Sequence, residues 1–220
     1  MESPYTTSNP KLQYAWDSVS MTTFMECPRK YQLQIIEGWV GKRKRIELEF
    51  GILFHAVLEK FHKLQAEGTE ENAAILQSVR WLLQHGRSMP EDDTGYRTLF
   101  TLLRAFVWYT DRFRNDHNAT IILPDGKPAA ELSFRIALPL VSPDGEPYLY
   151  CGHIDRATTF AGETFIDDYK TTKSSLSSYY FKQFDTSWQI TGYIFAGQTL
   201  LPDAPFKAII DGVQLAIGFS

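Results

Sequence analysis

Cysteine is scarce in this sequence, which has only Cys27 and Cys151 among 220 residues. Two cysteines are too few for the disulfide framework of a small secreted domain, and they favour a reducing compartment. No apolar run approaches the roughly 20 residues that a membrane-spanning helix requires. The opening residues, Met-Glu-Ser-Pro-Tyr-Thr-Thr-Ser, lack the basic and apolar regions of a secretory signal. Together these absences predict a cytoplasmic protein.

Positive charge is also in short supply, because 22 lysines and arginines stand against 26 aspartates and glutamates, for a net charge of −4. This balance argues against a protein that holds nucleic acid through bulk positive charge. It leaves room for an enzyme that holds metal ions with carboxylates and meets phosphates only locally. The one dense basic run has two interpretations, a solvated loop or a phosphate-contacting edge, and consists of Lys42, Arg43, Lys44 and Arg45.

The composition is that of a folded protein, with 44% hydrophobic and 14% aromatic residues. Residues 1–17 are polar and predict a flexible segment. Apolar residues at helical spacing predict helices over residues 21–27, 47–65, 70–85, 96–116 and 187–200. Aromatic residues in the fourth of these are interpreted as core rather than as a platform for stacking bases, and they are Phe100, Phe106, Trp108, Tyr109 and Phe113.

After Asn118 the pattern changes to strands, predicted over residues 130–138, 148–160, 163–172 and 206–219. This order of elements indicates an α/β core, with residues 70–118 as a helical insertion or subdomain. The sequence ends directly after the last predicted strand, which suggests either a fragment with a truncated C-terminus or a minimal version of a longer protein.

The most informative pattern is a predicted hairpin around a two-residue turn, Ala161-Gly162. Such a turn pairs residues whose numbers sum to 323, so Asp155 lies across from Asp168, roughly 5 Å away. Because side chains alternate along a strand, Lys170 shares the face of Asp168. Two carboxylates and an amine on one face require a cation or a phosphate for charge balance.

That arrangement suggests metal-assisted cleavage of phosphodiesters. Mg²⁺ and Mn²⁺ prefer oxygen ligands, which Asp155, Asp168 and the backbone carbonyl of Tyr169 would supply. The ion would activate water, and Lys170 would orient that water or stabilise charge. An Asp-x-Lys triplet alone is more often a surface salt bridge, and it is the expected cross-strand match that favours a site.

Other candidate residues each have an ordinary alternative. Glu131 is either a further carboxylate of the site or a solvent-facing glutamate, and His55 is either a ligand or a partly buried, hydrogen-bonded histidine. His153 is a lower-ranked rival for the metal. Gln189 and Tyr193 share a helix face, which suits either a contact with a phosphate or the lysine, or an amphipathic helix with no such role.

Six short motifs occur in an order that resembles the PD-(D/E)XK nuclease superfamily, in particular its RecB-like exonuclease branch, which includes CRISPR-associated and phage exonucleases. Each motif is weak alone, whereas their order over residues 18–193 is specific. They are Ser18-x-Ser20 leading to Cys27-Pro-Arg-Lys-Tyr31, Phe50-Gly-x3-His55, Glu131, Gly152-His-Ile-Asp155-Arg, Asp168-Tyr-Lys170-Thr and Gln189-x3-Tyr193.

The resemblance implies a restriction-endonuclease-like fold, a mixed central sheet flanked by helices, in a single domain over residues 18–220. It also implies roles for individual residues. His55, Asp155, Asp168 and the Tyr169 carbonyl would bind metal, Lys170 would be the catalytic lysine, Glu131 would match an acidic residue of the first core strand, and Gln189 and Tyr193 would line a DNA channel.

One departure concerns the iron–sulfur cluster that many relatives carry. Cys27 matches the first cluster ligand, but no cysteine follows Cys151. Either the protein has no cluster, or the ligands lie beyond Ser220. We expect no cluster, and Cys27 as a small buried residue.

The resulting hypothesis is a Mg²⁺- or Mn²⁺-dependent DNA nuclease, with exonuclease action favoured, in recombination, repair or phage DNA processing. A helicase or recombination partner and a location in the bacterial or host cytoplasm follow from the same resemblance. One alternative is a catalytically silent DNA-binding subunit of the same fold. The other is a hydrolase of smaller phosphoesters, against which the basic run argues weakly.

Overall fold

The structure is a computed structural model that describes residues 4–5, 11–42, 45–90, 95–114, 116–202 and 206–216. Its centre is a six-stranded sheet made of β1 (Ala15–Trp16), β2 (Ala119–Thr120), β3 (Ala130–Val141), β4 (Pro147–Phe160), β5 (Glu163–Thr172) and β6 (Phe206–Gln214).

Strand β4 lies at the middle of the sheet, because it pairs with four other strands. It runs parallel to β1 and antiparallel to β2, β3 and β5, and β5 then pairs in parallel with β6. The sheet is therefore mixed, as expected. Strand β1 lies within the segment that the sequence predicts to be flexible, and β6 ends at Gln214 rather than at 219. Residues 217–220 lie outside the described part of the chain.

The hairpin of β4 and β5 has the predicted turn. Ala161 and Gly162 both have left-handed backbone angles, with φ of 51° and 81°, as a two-residue hairpin turn of this kind requires. The pairs run from Phe160–Glu163 to Arg156–Asp167, all with the predicted sum. Pairing stops there, so the expected direct pair of Asp155 and Asp168 is not part of the ladder.

Seven α-helices surround the sheet in the described residues. They are α1 (Ser18–Glu26), α2 (Pro28–Tyr31), α3 (Ile46–Ala66), α4 (Glu71–His85), α5 (Leu99–Arg112), α6 (Ser178–Lys182) and α7 (Trp188–Leu200). Helix α1 begins earlier than predicted because the carboxylate of Asp17 caps it by accepting from the backbone N–H of Ser20. Helix α5 begins later than predicted because Thr98 caps it.

Two hydrophobic clusters hold the helices on the sheet. One cluster joins α3, α4 and α5 to Tyr169 of β5 and to Leu215. The other joins α7 to the strands through Ile154, Ile166 and Tyr193. Because buried side chains of α4 and α5 pack with those of α3 in one cluster, we propose that residues 70–118 belong to the same domain as the sheet.

The aromatic residues of α5 divide between the core and the surface. Phe106 and Tyr109 are buried, as predicted, whereas Phe100 and Trp108 are 58% and 50% exposed, and Phe113 is 40% exposed. The interpretation of all five as core is therefore wrong for these three, because α5 turns one side of its helix towards solvent. None of the helices in the described ranges combines the length and apolar character needed to cross a bilayer.

Candidate active site

Lys170 lies in a polar chain between β5 and α7. Its Nζ donates to Asp168 Oδ1 at 2.8 Å and to Gln189 Oε1 at 3.1 Å. Asp168 is 1% exposed, and burial raises the pKa of its carboxyl, as does the charge of Asp155, while Lys170 acts in the opposite direction. The lysine thus compensates a carboxylate that has been removed from water.

Asp155 joins β4 to α3 and to the backbone of β5. Its Oδ1 lies 3.1 Å from Nδ1 of His55, and its Oδ2 accepts from the backbone N–H of Tyr169 at 3.0 Å. Nε2 of the same histidine lies 2.9 Å from the carbonyl oxygen of Tyr169. Burial lowers the pKa of His55, but the hydrogen bond and charge of Asp155 outweigh burial and raise it overall. A protonated ring can donate to both oxygens at once.

Glu131 extends this acidic group across a third strand. Its neighbours Ala130 and Leu132 pair with Arg156 and Ile154, so Glu131 lies opposite Asp155. Burial raises the pKa of Glu131, and the negative charges of Asp155 and of Glu59 raise it further.

Glu59 was not singled out from the sequence as a member of the site. It follows His55 by four residues on α3 and so shares its helix face, a spacing that could have identified it. His153, the rival metal neighbour, is exposed, and its Nδ1 lies 2.9 Å from Ser133 Oγ and 3.8 Å from Glu131.

Gln189 and Tyr193 lie one turn apart on α7. The side-chain amide of Gln189 donates to the hydroxyl of Tyr193 at 2.9 Å, while its oxygen accepts from Lys170. Tyr193 is only 7% exposed. A DNA-lining role for Tyr193 therefore disagrees with its burial, because its hydroxyl is used to hold the glutamine.

A family comparison supports the order of motifs. The family model of the PD-(D/E)XK nuclease superfamily matches residues 18–214. The chain belongs to the PD-(D/E)XK nuclease superfamily. A search among curated proteins finds no match to the sequence. The expected fold class and superfamily are thereby confirmed, and nuclease chemistry is indicated, whereas the RecB-like branch stays a prediction.

PD-(D/E)XK nucleases generally use divalent metals such as Mg²⁺, and the donor set here suits such an ion. Asp168 Oδ2 is buried and lacks a hydrogen bond, although it makes a 2.6 Å ionic contact with Lys170 Nζ. The His55 Nε2 atom and the Tyr169 carbonyl oxygen, 2.9 Å apart, add one nitrogen donor and one oxygen donor.

The donors are nevertheless paired with each other. In the described ranges, no group of three or more His, Cys, Asp and Glu side chains is arranged to hold a metal ion. Each carboxylate is instead paired with another side chain. Asp155 contacts His55, and Asp168 contacts Lys170. Metal binding at these residues therefore requires local rearrangement of His55 and Lys170.

Two sets of residues that were considered from the sequence lie at the surface, outside the candidate site. Lys42 and Arg45 are exposed, and Arg45 precedes the first turn of α3, whereas Arg43 and Lys44 lie outside the described residues. Cys27 is exposed rather than buried. Its position explains this, because its sulfur caps α2 by accepting from the backbone N–H of Lys30 at 3.4 Å.

Proposed function

We propose that the protein is a divalent-metal-dependent deoxyribonuclease, with exonucleolytic action, in which Asp155, Asp168, His55 and the Tyr169 carbonyl hold Mg²⁺ or Mn²⁺. The observation that carries the proposal is the position of Lys170, held between buried Asp168 and Gln189 and next to the Asp155–His55 pair. If the ion pair of Lys170 with Asp168 were only structural, Lys170 would not require a further hydrogen bond to Gln189, which Tyr193 holds in place.

Lys170 supplies the positive charge that the reacting phosphate requires. Its side chain is 25% exposed, so it can reach a phosphate at the surface while Asp168 and Gln189 fix its direction. Asp168 and Gln189 use two of the three N–H groups of the ammonium, so one donor is left for a phosphate oxygen or a water. Preorganised charge of this kind stabilises the transition state without reorganisation during the reaction.

The ion, when bound, would lower the pKa of a water and neutralise charge on the phosphate. Asp155 and Asp168 would hold it with carboxylate oxygens, and His55 would add a nitrogen ligand, which favours Mn²⁺ over Mg²⁺. Glu131 lies opposite Asp155 and would bind a proton or a further water, since burial, together with the charges of Asp155 and Glu59, raises its pKa.

DNA is the proposed substrate, and the basic run offers contacts for its backbone. Arg45 precedes His55 by ten residues at the start of α3, which corresponds to about 15 Å along the helix axis. Lys42 is exposed at the same end of the helix, and we place Arg43 and Lys44 in the same role. Processing of DNA ends in recombination, repair or phage replication, with a helicase partner, would use such a site.

The test uses linear single- and double-stranded DNA labelled at either end, together with closed circular DNA, with and without Mn²⁺. We expect metal-dependent cleavage of linear DNA and little cleavage of circles. Lys170→Ala should abolish it. Lys207→Ala is the matched control, because Lys207 also pairs with a carboxylate, Glu163 at 2.6 Å, but at the exposed hairpin end.

Three results would count against the proposal. DNA binding without cleavage in Mn²⁺ would favour the silent subunit. Cleavage that Lys170→Ala leaves unchanged would remove the lysine from the reaction. Hydrolysis of small phosphoesters with no salt-dependent DNA affinity would favour the other hydrolase, because phosphate contacts make DNA binding strongly dependent on salt.

A further inference from the structure

Tyr169 connects the active site to the core through its two ends. Its backbone N–H donates to Asp155, and its carbonyl oxygen lies 2.9 Å from His55. Its side chain is 2% exposed and packs in the cluster formed by α3, α4 and α5. Tyr109 meets the ring edge-on, with the ring centroids 5.8 Å apart. The side chain is therefore shielded from solvent.

Helix α3 holds this residue at both ends. His55 contacts the carbonyl of Tyr169, and Nε2 of His62 lies 3.1 Å from the hydroxyl. The two histidines are seven residues apart, so they lie on one face of the helix, separated by about 10.5 Å along its axis. The ring of His62 also stacks on that of Tyr169, at 6.1 Å and an angle of 11°.

We propose that His62 and the hydroxyl of Tyr169 form a positioning pair that holds the Tyr169 carbonyl in place for metal binding. The inference rests on the proposed function, in which that carbonyl and His55 are ligands. Binding of an ion by both would break the direct hydrogen bond between them. The buried contact of His62 with the Tyr169 hydroxyl would then remain as a polar link between α3 and Tyr169.

The experiment measures Mn²⁺ binding to the whole protein without DNA, by the electron paramagnetic resonance of free Mn²⁺ and by calorimetry. Tyr169→Phe removes only the hydroxyl, which also interacts with the side chain of Arg156, and His62→Leu removes only the histidine partner. We expect each to weaken Mn²⁺ affinity about tenfold, as loss of a supporting contact typically does. The double variant should be no weaker than either single variant, and His62→Gln should retain more affinity than His62→Leu.

Tyr109→Phe is the matched control. It removes a buried hydroxyl from the same cluster, but that hydroxyl donates to Asp211 at 2.7 Å rather than to His62. An equal loss of affinity in Tyr109→Phe would mean general loosening of the core and would overturn the inference. Unchanged affinity in Tyr169→Phe would overturn it too. A wild-type protein that binds no Mn²⁺ would instead refute the proposed function, so the two failures are distinguishable.

Discussion

Gly192 marks the closest approach of α7 to the sheet, and its replacement by alanine gives a sharp prediction. A Cβ atom there would lie 1.8 Å from the hydroxyl oxygen of Tyr150 and 2.6 Å from the ring carbon that bears it. Tyr150 is 5% exposed and packs against Phe134, with ring centroids 5.2 Å apart. Either the Tyr150 ring or α7 must move to admit the methyl group; because the ring packs against Phe134, we expect α7 to move outward.

The size of the effect follows from overpacking, which costs about 1–3 kcal/mol in a well-packed interior. For a protein of this length that corresponds to a fall of about 3–9 °C in Tm. The shift also carries Gln189, three residues earlier on α7, away from Lys170. Since a displacement of about 1 Å can cost on the order of 100-fold in rate, we expect nuclease activity at 25 °C to fall 10- to 100-fold while the protein remains folded.

Gly51→Ala is the control of opposite sign. Gly51 lies in α3, and a Cβ atom there would meet nothing within 4 Å. Alanine should therefore stabilise the protein by about 0.5–1 kcal/mol through helix propensity and chain entropy. Urea and thermal denaturation measure both variants, and Tyr150→Leu should partly restore Gly192→Ala. A Gly192→Ala protein with unchanged stability and activity would refute this account of the α7 position.

Three further predictions concern buried polar groups. Tyr150→Phe should raise the free energy of unfolding by about 1 kcal/mol, because the buried hydroxyl has no hydrogen-bond partner in the described structure; a loss in urea denaturation would contradict this. Arg156→Leu should lower the free energy of unfolding by about 3–5 kcal/mol, since the buried carboxylate of Asp167, 3.4 Å away, loses its charge partner. Recovery of stability in the variant that also carries Asp167→Leu is the check. Burial, reinforced by the charge of Arg156, lowers the pKa of His62 well below 6.5, so the unfolded chain binds the proton first, and His62 contributes a loss of up to about 1.4 kcal/mol per pH unit below pH 6.5. Buried carboxyls such as Asp167, whose pKa burial raises to about 7, contribute with the opposite sign. The difference in stability between the wild type and His62→Gln, measured by denaturation between pH 7.5 and 5.5, isolates the contribution of His62.

The hairpin was predictable because short-range chemistry determines it. Ala161 and Gly162 adopt the left-handed turn that the sequence indicates, and the register of β4 with β5 follows from the turn length alone. The end of the ladder was not predictable, because it depends on a competition. The carboxylate of Asp155 accepts a hydrogen bond from the backbone N–H of Tyr169, in place of a backbone carbonyl of β4. The alternation of side chains along a strand does not predict which of these two acceptors the N–H will use.

Long-range contacts show the same limit. Periodicity gives the faces of α3 and α7, but His55 and the Tyr169 carbonyl are 114 residues apart, so the contact follows only from the packed structure. The average burial of a residue type likewise does not predict the burial of a single position. Cys27 is exposed because it caps a helix, and Trp108 is exposed because of its place on α5, although both types are usually buried.

The early end of the β4–β5 ladder is itself what creates the candidate site. In a two-residue hairpin, Phe160 and Glu163 form a hydrogen-bonded pair, and alternate residues from Glu163 onward direct their backbone groups towards β4. Tyr169 is one of these residues. If pairing continued, the backbone N–H and carbonyl of Tyr169 would form hydrogen bonds with the backbone of Ile154. Neither group would then be available to a side chain. Because pairing stops at Arg156–Asp167, the N–H meets Asp155 and the carbonyl meets His55. The same interruption that orients one carboxylate therefore also frees the carbonyl oxygen that we propose as a metal ligand.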